Sequence, residues 1–274
     1  MVRKIPRWMD QAAIARPDES KPRSRRVSQP GGSGERPPSR RSGQSPPAAA
    51  GAPPEGSGLI SDGVREAMVE TLRRSGVRDA AVLHAMRAVP RHAFVEPGLS
   101  SRAYEDVALP IGHGQTISRP LTVARMIELV AAAFDESRRR SAKVLEIGTG
   151  CGYQAAVLAG VFGEVVSIER IRGLHEQARA NLRPLRLANL RLVYGDGQHG
   201  VEKAAPYDVV IAAAAGAAIP DAWLAQMQQG GWLIAPVSQP DGQALHLVQR
   251  LGRDRWQLTV LDAVRFVPLR AGTV

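Results

Sequence analysis

Residues 143–153 read Lys-Val-Leu-Glu-Ile-Gly-Thr-Gly-Cys-Gly-Tyr, a short apolar run that ends in three alternating glycines. A short apolar run bounded by glycines is typical of a buried strand, and a helical pattern follows it through residues 155–158. In an open α/β sheet, a glycine-rich turn of this kind lies at the carboxyl end of a strand, where nucleotide-like ligands bind. The stretch therefore predicts both the class of fold and the position of a ligand site.

The spacing of the glycines narrows the choice of ligand. A dinucleotide fingerprint, Gly-x-Gly-x-x-Gly, would need its third glycine at position 153, where this chain has Tyr153. The glycines present, Gly148, Gly150 and Gly152, form instead the Gly-x-Gly-x-Gly pattern associated with S-adenosylmethionine. We therefore predict that this turn, with Glu146 at its start, binds S-adenosylmethionine.

Two carboxylates that could bind the cofactor follow at the ends of the next predicted strands. Glu169 ends the strand predicted at 165–169, close to the ~20-residue spacing after Gly148 at which a carboxylate reaches ribose hydroxyls. Asp196 lies in a Gly-Asp-Gly motif after the strand predicted at 190–194, where it can accept a hydrogen bond from an adenine amino group. Each signal is weak alone, because strand-end glutamates are often solvated and Gly-Asp-Gly is commonly a turn. Their order after three successive strands indicates a nucleoside cofactor.

Strands and helices alternate through the middle of the chain. This alternation predicts an α/β fold with a doubly wound, mostly parallel Rossmann-like sheet, and a closing run of strands without helices predicts an antiparallel edge at its C-terminal side. Upstream, an apolar helical spacing ending at Gly76 and a second one beginning at Asp79 predict an N-terminal helical preface. The remaining predictions are a loop at 104–119, helices at 120–132, 171–183 and 220–228, and strands at 143–147, 208–212, 232–237, 244–249 and 257–267.

Residues 1–58 differ in composition from the rest of the chain. They hold 11 Lys and Arg against 5 Asp and Glu, 10 of the 20 prolines, and Trp8 as their one aromatic residue. Such a segment buries too little apolar surface to offset its chain entropy, so we predict a disordered, basic Pro/Gly/Ser-rich extension at 1–58. Residues 59–274 carry the S-adenosylmethionine pattern, and we expect them to form a methyltransferase domain that depends on this cofactor. A transit peptide, a basic arm that touches nucleic acid or anionic surfaces, and an extension without a role all remain open.

Composition also indicates the cellular compartment of the protein and whether it binds a metal ion. Cys151 is the single cysteine, which excludes an intrachain disulfide and favours a reducing compartment. No apolar run approaches the ~20 residues that span a bilayer, and no signal peptide is evident, so we expect a cytoplasmic protein that contacts no membrane. The six histidines are scattered without the spacing of a metal site, so we expect no metal.

Further motifs flank the glycine-rich turn. They are Arg-Ala-Val-Pro-Arg-His-Ala-Phe-Val at 87–95, Ala-Tyr-Glu-Asp at 103–106, Leu-Pro-Ile-Gly-His-Gly-Gln-Thr-Ile-Ser at 109–118 and Val-Arg-Phe-Val-Pro-Leu at 264–269. Together with the turn and the Gly-Asp-Gly motif, they resemble the protein-L-isoaspartate O-methyltransferase family over about residues 60–270. The Gly-Gln-Thr-Ile-Ser element is the specific part, because many methyltransferases share the glycine pattern.

The resemblance implies methyl transfer from S-adenosylmethionine to the free α-carboxylate of an isoaspartyl residue in a damaged protein. It implies that Ser118 is the active-site serine, although a helix cap for the segment near Pro120 is an alternative role for this residue. His113, in the same loop, is a weaker candidate for lining the pocket. The resemblance also implies pocket or cofactor contacts at Gln115, Thr116, Ile117, Cys151, Glu169, Arg170, Asp196 and Gly197.

The stretch at 212–220 departs from the family. Ala213 and Ala217 stand where relatives commonly carry threonine and proline, which keeps a weakly active or non-catalytic cofactor-binding protein open as an alternative. A nucleic-acid methyltransferase is a second alternative, suggested by the basic extension. Methylation of an exocyclic amine usually needs an Asn/Asp-Pro-Pro-aromatic loop, where this chain has alanines. We expect isoaspartyl proteins as substrates, no nucleic acid at the folded domain, and a monomer.

Overall fold

The computed structural model describes residues 57–274, so the extension predicted at 1–58 lies almost wholly outside the described residues. Helix α1 (Ser57–Arg74) begins two residues before the predicted boundary at 59. Gly76 turns the chain with a φ of +92°, and Asp79 then caps α2 (Ala80–Ala88) by accepting from two backbone N–H groups. The predicted helical preface is therefore confirmed.

The remaining elements follow the predicted alternation. In chain order they are β1 (Leu109–Pro110), β2 (Thr116–Ile117), α3 (Pro120–Ala131), α4 (Glu136–Ser141), β3 (Lys143–Ile147), α5 (Tyr153–Ala159), β4 (Glu164–Glu169), α6 (Arg172–Leu182), β5 (Leu190–Tyr194), β6 (Tyr207–Ala212), α7 (Asp221–Gln226), β7 (Met227–Gln239), β8 (Gly242–Gly252) and β9 (Arg255–Val264).

Seven of the strands form one sheet in the order β5-β4-β3-β6-β7-β8-β9. The strands from β5 to β7 run parallel, whereas β8 and β9 pair antiparallel at one edge. The order reverses between β3 and β6, which makes the carboxyl end of β3 the topological switch point. Ile147, the last residue of β3, pairs with Ile168 of β4 and Ala212 of β6, so the ends of the three strands coincide. The predicted α/β class, parallel sheet and antiparallel edge are confirmed.

Alternate residues of the central strands face two different layers of the core. Val144 of β3 packs in the larger apolar cluster together with residues of α1, α2, α3, α5 and α6. Leu145 and Ile147 face the opposite layer, which contains Trp223 of α7. Glu146 lies between them in sequence. Because successive side chains of a strand point to opposite faces, Glu146 faces the same layer as Val144, which we call the helix-rich layer. A carboxyl group is thus fully buried at the end of the central strand.

The structure adds two elements that the sequence did not predict and shortens a third. Helix α4 is polar and lacks an apolar period, and Asp135 starts it by accepting from the Arg138 N–H. The loop predicted at 104–119 contains the small hairpin of β1 and β2. Helix α7 is shorter than the predicted 220–228, because β7 begins at Met227. Among residues 57–274, no helix is both long and apolar enough to cross a membrane.

Candidate active site

A cleft opens at the carboxyl ends of β3, β4 and β6, and its empty volume, including the open mouth, is about 850 Å³. Four segments line the cleft: the loop before α3 (residues 111–118, loop 111–118), the turn after β3 (residues 148–152, the glycine loop), the residues after β4, and the segment at 267–270. The cleft therefore lies at the switch point of the sheet, where the sequence predicts the ligand site.

The cleft brings together most of the residues predicted from the sequence. Glu146, Gly152, Asp196 and the weaker candidate His113 do not line it. Those that line it are Gln115, Thr116, Ile117, Ser118, Gly148, Gly150, Cys151, Glu169, Arg170 and Gly197.

The glycine loop exposes backbone to the cleft. Gly148 and Gly150 have φ values of +90° and +55°, in the region that favours glycine. A Cβ on Gly150 would lie 3.2 Å from the Ile111 side chain, so a larger residue would press on loop 111–118. Gly152 has another role, because a Cβ there would meet Leu182 of α6 at 2.8 Å. Gly152 thus allows the start of α5 to pack on α6 and stands behind the cleft.

Glu169 fixes the glycine loop to the end of β4. Its Oε2 accepts from the Gly150 N–H at 2.9 Å and its Oε1 from the Ile171 N–H at 2.9 Å. A carboxylate oxygen can accept more than one hydrogen bond, so Glu169 keeps acceptor capacity toward the cleft that it lines. This arrangement fits the predicted interaction with hydroxyl groups.

Glu146 lies beneath the glycine loop in a buried polar network. Its Oε2 accepts from the Ser167 hydroxyl at 2.5 Å, and that hydroxyl also contacts the hydroxyl of Thr149 at 2.5 Å. Burial raises the pKa of Glu146 to about 8, because the ionised form loses its hydration. Thr149 lines the cleft, so Glu146 reaches the cleft through two hydroxyl groups and does not face it.

Asp196 is occupied by backbone donors. Its Oδ1 accepts from the Gln198 N–H at 2.9 Å and its Oδ2 from the Gly272 N–H at 2.6 Å. Arg170, which lines the cleft, donates through Nε to the Gly272 carbonyl at 2.7 Å. Asp196 therefore anchors the C-terminal stretch beside the cleft, and its interaction with adenine stays a prediction.

Ser118 follows β2 and faces the cleft with a free hydroxyl. Among residues 57–274, the hydroxyl has no hydrogen-bond partner. The alternative that Ser118 caps α3 is wrong: Arg119 occupies the cap position without a side-chain bond, and Asp106 Oδ1 accepts from the Leu121 N–H at 2.9 Å. His113 does not line the cleft but lies against Gly173 of α6.

Two weak acids in the cleft wall stay neutral at physiological pH. Burial raises the pKa of the Cys151 thiol to about 11 and that of the Tyr153 hydroxyl to about 12. A protonated thiol is a poor nucleophile, so Cys151 acts as a small packing residue in the turn. In the part of the chain that the structure describes, no group of three or more His, Cys, Asp or Glu side chains is arranged to hold a metal ion.

The family model described as protein-L-isoaspartate(D-aspartate) O-methyltransferase (PCMT) matches residues 63–273, which include every segment of the cleft. The chain belongs to this family. Members similar to it include a protein-L-isoaspartate O-methyltransferase from Burkholderia lata, 56% identical over 225 residues that cover 81% of this chain and 71% of the relative. Another, from Burkholderia cenocepacia, is 57% identical over 218 residues, covering 79% and 69%.

Solved structures of the protein-L-isoaspartate O-methyltransferase family agree with the fold. One is 31% identical to this chain, with a TM-score of 0.66, and the match covers 74% of this chain and 65% of that chain. A Plasmodium falciparum structure in complex with S-adenosyl-L-homocysteine has a TM-score of 0.67 at 21% identity, and the match covers 75% and 98%. The second likeness supports the fold alone.

The loop after β6, where this chain departs from the protein-L-isoaspartate O-methyltransferase pattern, is held by its backbone. Ala215 donates to the Val267 carbonyl at 2.8 Å and accepts from the Leu269 N–H at 2.8 Å, and the Gly216 carbonyl accepts from the Ser238 N–H at 2.8 Å. Ala213 lines the cleft, whereas Ala217 is exposed and does not. The backbone bonds hold the loop in place without the threonine and proline side chains.

Sequence reasoning missed several residues that line the cleft. Gln154 is buried beside Glu146, with which its amide interacts without a hydrogen bond of standard geometry, and no motif singled it out. Residues 267–270 reach the cleft through backbone bonds to Ala215, from a position far along the chain. The motif at 264–269 was the signal available for that segment, because a stretch typical of the family is commonly part of its site.

Proposed function

We propose that this chain transfers a methyl group from S-adenosylmethionine to the free α-carboxylate of L-isoaspartyl residues, and of D-aspartyl residues, in damaged proteins. The resulting ester would cyclise to a succinimide with loss of methanol, and hydrolysis would partly restore aspartate. Membership of the family supports this activity. The observation that carries the proposal is the unpartnered Ser118 hydroxyl, which lies in one cleft with the glycine loop and Glu169.

The residues of the cleft fit S-adenosylmethionine. The positive φ angles of Gly148 and Gly150 leave backbone open to a ligand. The amide of Gln154, which interacts with Glu146, adds a polar group to the wall of the cleft. Glu169 would accept from the ribose hydroxyls, and Gly197 would pack against the nucleoside. When bound, S-adenosylmethionine supplies an electrophilic methyl group on its sulfonium.

The acceptor needs no general base. A carboxyl group with a pKa near ~4 is already ionised at neutral pH. Accordingly, the thiol of Cys151 and the hydroxyl of Tyr153 are held neutral and do not compete as nucleophiles. Ser118 would donate a hydrogen bond to one carboxylate oxygen, which orients the other. Holding the reactants in line is a task that can lower a barrier by up to ~7–11 kcal/mol in well-oriented systems.

Exposure of loop 111–118 suits a protein substrate. His113, Gly114 and Thr116 are exposed beside Ser118, so a flexible segment of another protein can approach the serine from solvent. We propose that the enzyme works as a cytoplasmic monomer, and that any contact of residues 1–58 with nucleic acid is separate from the reaction.

The test is a methyl-transfer assay on two peptides of one sequence that differ in an aspartyl or isoaspartyl linkage. We expect labelling of the isoaspartyl peptide, followed by release of methanol, and background labelling of the aspartyl peptide. Equal labelling of both peptides, or none of either, would remove the repair assignment.

A further inference from the structure

Arg91 joins the helical preface to both walls of the cleft. It opens the short turn at 91–94 after α2, and its side chain is fully buried. The Nε donates to the Ala103 carbonyl at 2.7 Å and the Nη2 to the Ser118 carbonyl at 2.7 Å. The guanidinium carbon lies 4.8 Å from the centre of the Tyr153 ring. Arg91 thus contacts both Ser118, which would face the acceptor, and Tyr153, which directly follows the glycine loop.

The positive charge of Arg91 has no direct counterion among residues 57–274. Its Nη1 makes no hydrogen bond of standard geometry and has the neutral Tyr153 hydroxyl as a polar neighbour, and no carboxylate there forms an ion pair with it. Burial lowers the pKa of Arg91, but a guanidinium stays protonated at neutral pH. The nearby Cys151 and Tyr153 are neutral because burial raises the pKa of each. A buried charge without a partner is destabilising, which calls for an explanation in function.

The nearest acid on this side of the cleft is already engaged. Asp106 exerts a weak attraction on Arg91, but its Oδ2 accepts from Arg119 and its Oδ1 from the Leu121 N–H. Asp106 is therefore a remote and shared partner. Arg91 Nη2 lies 2.7 Å from the Ser118 carbonyl, so an anion bound by the Ser118 hydroxyl would come close to the guanidinium.

We propose that Arg91 is a positioning residue that holds the Ser118 carbonyl and whose buried positive charge is balanced by the α-carboxylate of the bound isoaspartyl substrate. This inference rests on the proposed function. Arg91 is fully buried, so it acts through Ser118 and through its field, which is strong where water is excluded. The consequence is a preference for an ionised acceptor: the site binds a carboxylate better than a neutral amide of the same shape.

The test compares two isoaspartyl peptides, one with a free α-carboxylate and one with an α-carboxamide. Their Kd values are measured by calorimetry on the full chain, with S-adenosylhomocysteine present so that no transfer occurs. We expect Arg91→Met to reduce the preference for the carboxylate about tenfold or more, and Arg91→Lys, which keeps the charge, to retain most of it. An unchanged ratio in Arg91→Met would overturn the proposal, because a merely structural role weakens both peptides equally.

Arg139 offers a matched control. It is also largely buried, and it donates to the Ala131 carbonyl, but it pairs with Asp79 away from the cleft. Arg139→Met should lower the free energy of unfolding and leave the ratio of the two Kd values unchanged. A comparable change of that ratio in Arg139→Met would overturn the proposal, since any loss of stability would then have the same effect.

A measurement on the wild-type protein covers the case in which Arg91→Met does not fold. The α-carboxyl carbon of the peptide is labelled with carbon-13 and titrated by NMR in the complex with S-adenosylhomocysteine. We expect the pKa of the bound carboxyl to fall by at least about one unit, which is a tenfold preference for the ionised form. An equal or higher pKa would overturn the proposal, whereas failure of the wild-type protein to methylate the isoaspartyl peptide would instead overturn the proposed function.

Discussion

The glycine loop and loop 111–118 face each other across the cleft, and they are held in different ways. Gly148 and Thr149 of the glycine loop donate to the Ile168 carbonyl of β4, at 2.9 and 3.2 Å, and Glu169 adds a bond to Gly150. Loop 111–118 has two backbone bonds of its own, between Ile111 and Gln115 and between Gln115 and Gly112. Its Ser118 end is held from outside, by the side chain of Arg91.

Under the proposed function, this difference would separate binding of the cofactor, by the glycine loop, from placement of the acceptor, by loop 111–118. The glycine loop continues the sheet, so its geometry depends on the core of the domain. Loop 111–118 is a hairpin held by the buried side chains of Ile111 and Ile117, and its Ser118 end also depends on the side chains of Arg91 and Asp106. Substitutions in the glycine loop should therefore change cofactor affinity and stability together, whereas substitutions near Ser118 should change turnover at nearly constant stability.

The largest expected effect comes from Ser118→Ala. Loss of the donor that orients the acceptor should lower kcat about 100-fold, the cost of misplacing a reacting group by about 1 Å. The hydroxyl has no internal hydrogen bond and does not cap α3, so the free energy of unfolding should change by less than about 0.5 kcal/mol. Steady-state kinetics with an isoaspartyl peptide measure kcat, and urea denaturation measures the free energy of unfolding.

Affinity for S-adenosylhomocysteine is the internal control for Ser118→Ala. We expect it to fall only slightly, because the glycine loop and Glu169 are unchanged. A variant that keeps its turnover but loses stability would show that the serine supports the loop and does not orient the acceptor.

The next effect is on the pH dependence of stability, through Glu146. Its pKa rises from 4.5 in the unfolded chain to about 8 in the folded protein. The folded state therefore binds more protons between these values, so this group lowers the free energy of unfolding as the pH rises from about 4.5 to 8. The full loss is roughly 3–5 kcal/mol, from about 1.4 kcal/mol for each pH unit.

The variant Glu146→Gln tests whether Glu146 lowers the free energy of unfolding as the pH rises. The amide resembles the protonated carboxyl and does not titrate, so the variant should match the wild type near pH 5 and be the more stable protein near pH 9. Urea denaturation at both pH values measures the difference. If Glu146→Gln is instead less stable at pH 9, the carboxylate is ionised and favourably bound in the folded state, contrary to our assignment.

The sequence predicted the regular part of the molecule because that part follows local rules. The alternation of apolar runs and helical periods predicted the strands from β3 to β6, and the glycine pattern placed the ligand site at the end of β3. The start of α2 at Asp79 was also predicted, and the structure shows that Asp79 caps this helix. Helix α4 escaped prediction because its six residues are polar and have no apolar face.

The site was harder to predict where distant segments meet. Residues 267–270 reach the cleft through backbone bonds to the loop after β6, and backbone pairing has no signature in side-chain type. Arg91 and Gln154 are polar residues that burial makes important, and burial depends on the assembled fold. Glu146 was expected to contact the cofactor. Its position in the alternation of β3 instead directs its side chain toward the helix-rich layer.

The smallest expected effect concerns Asp106, the second side chain that supports loop 111–118 from outside. Its Oδ1 accepts from the Leu121 N–H in the first turn of α3, directly after Ser118 and Arg119. Asp106→Ala should lower the free energy of unfolding by about 1 kcal/mol, as loss of a helix cap does, and should reduce kcat a few-fold by loosening the loop. Asp135→Ala removes a similar cap from α4, away from the cleft, and should lower stability alone. Equal kcat values for the two variants would mean that the hairpin positions Ser118 without Asp106, and that Arg91 is sufficient to hold that end of the loop.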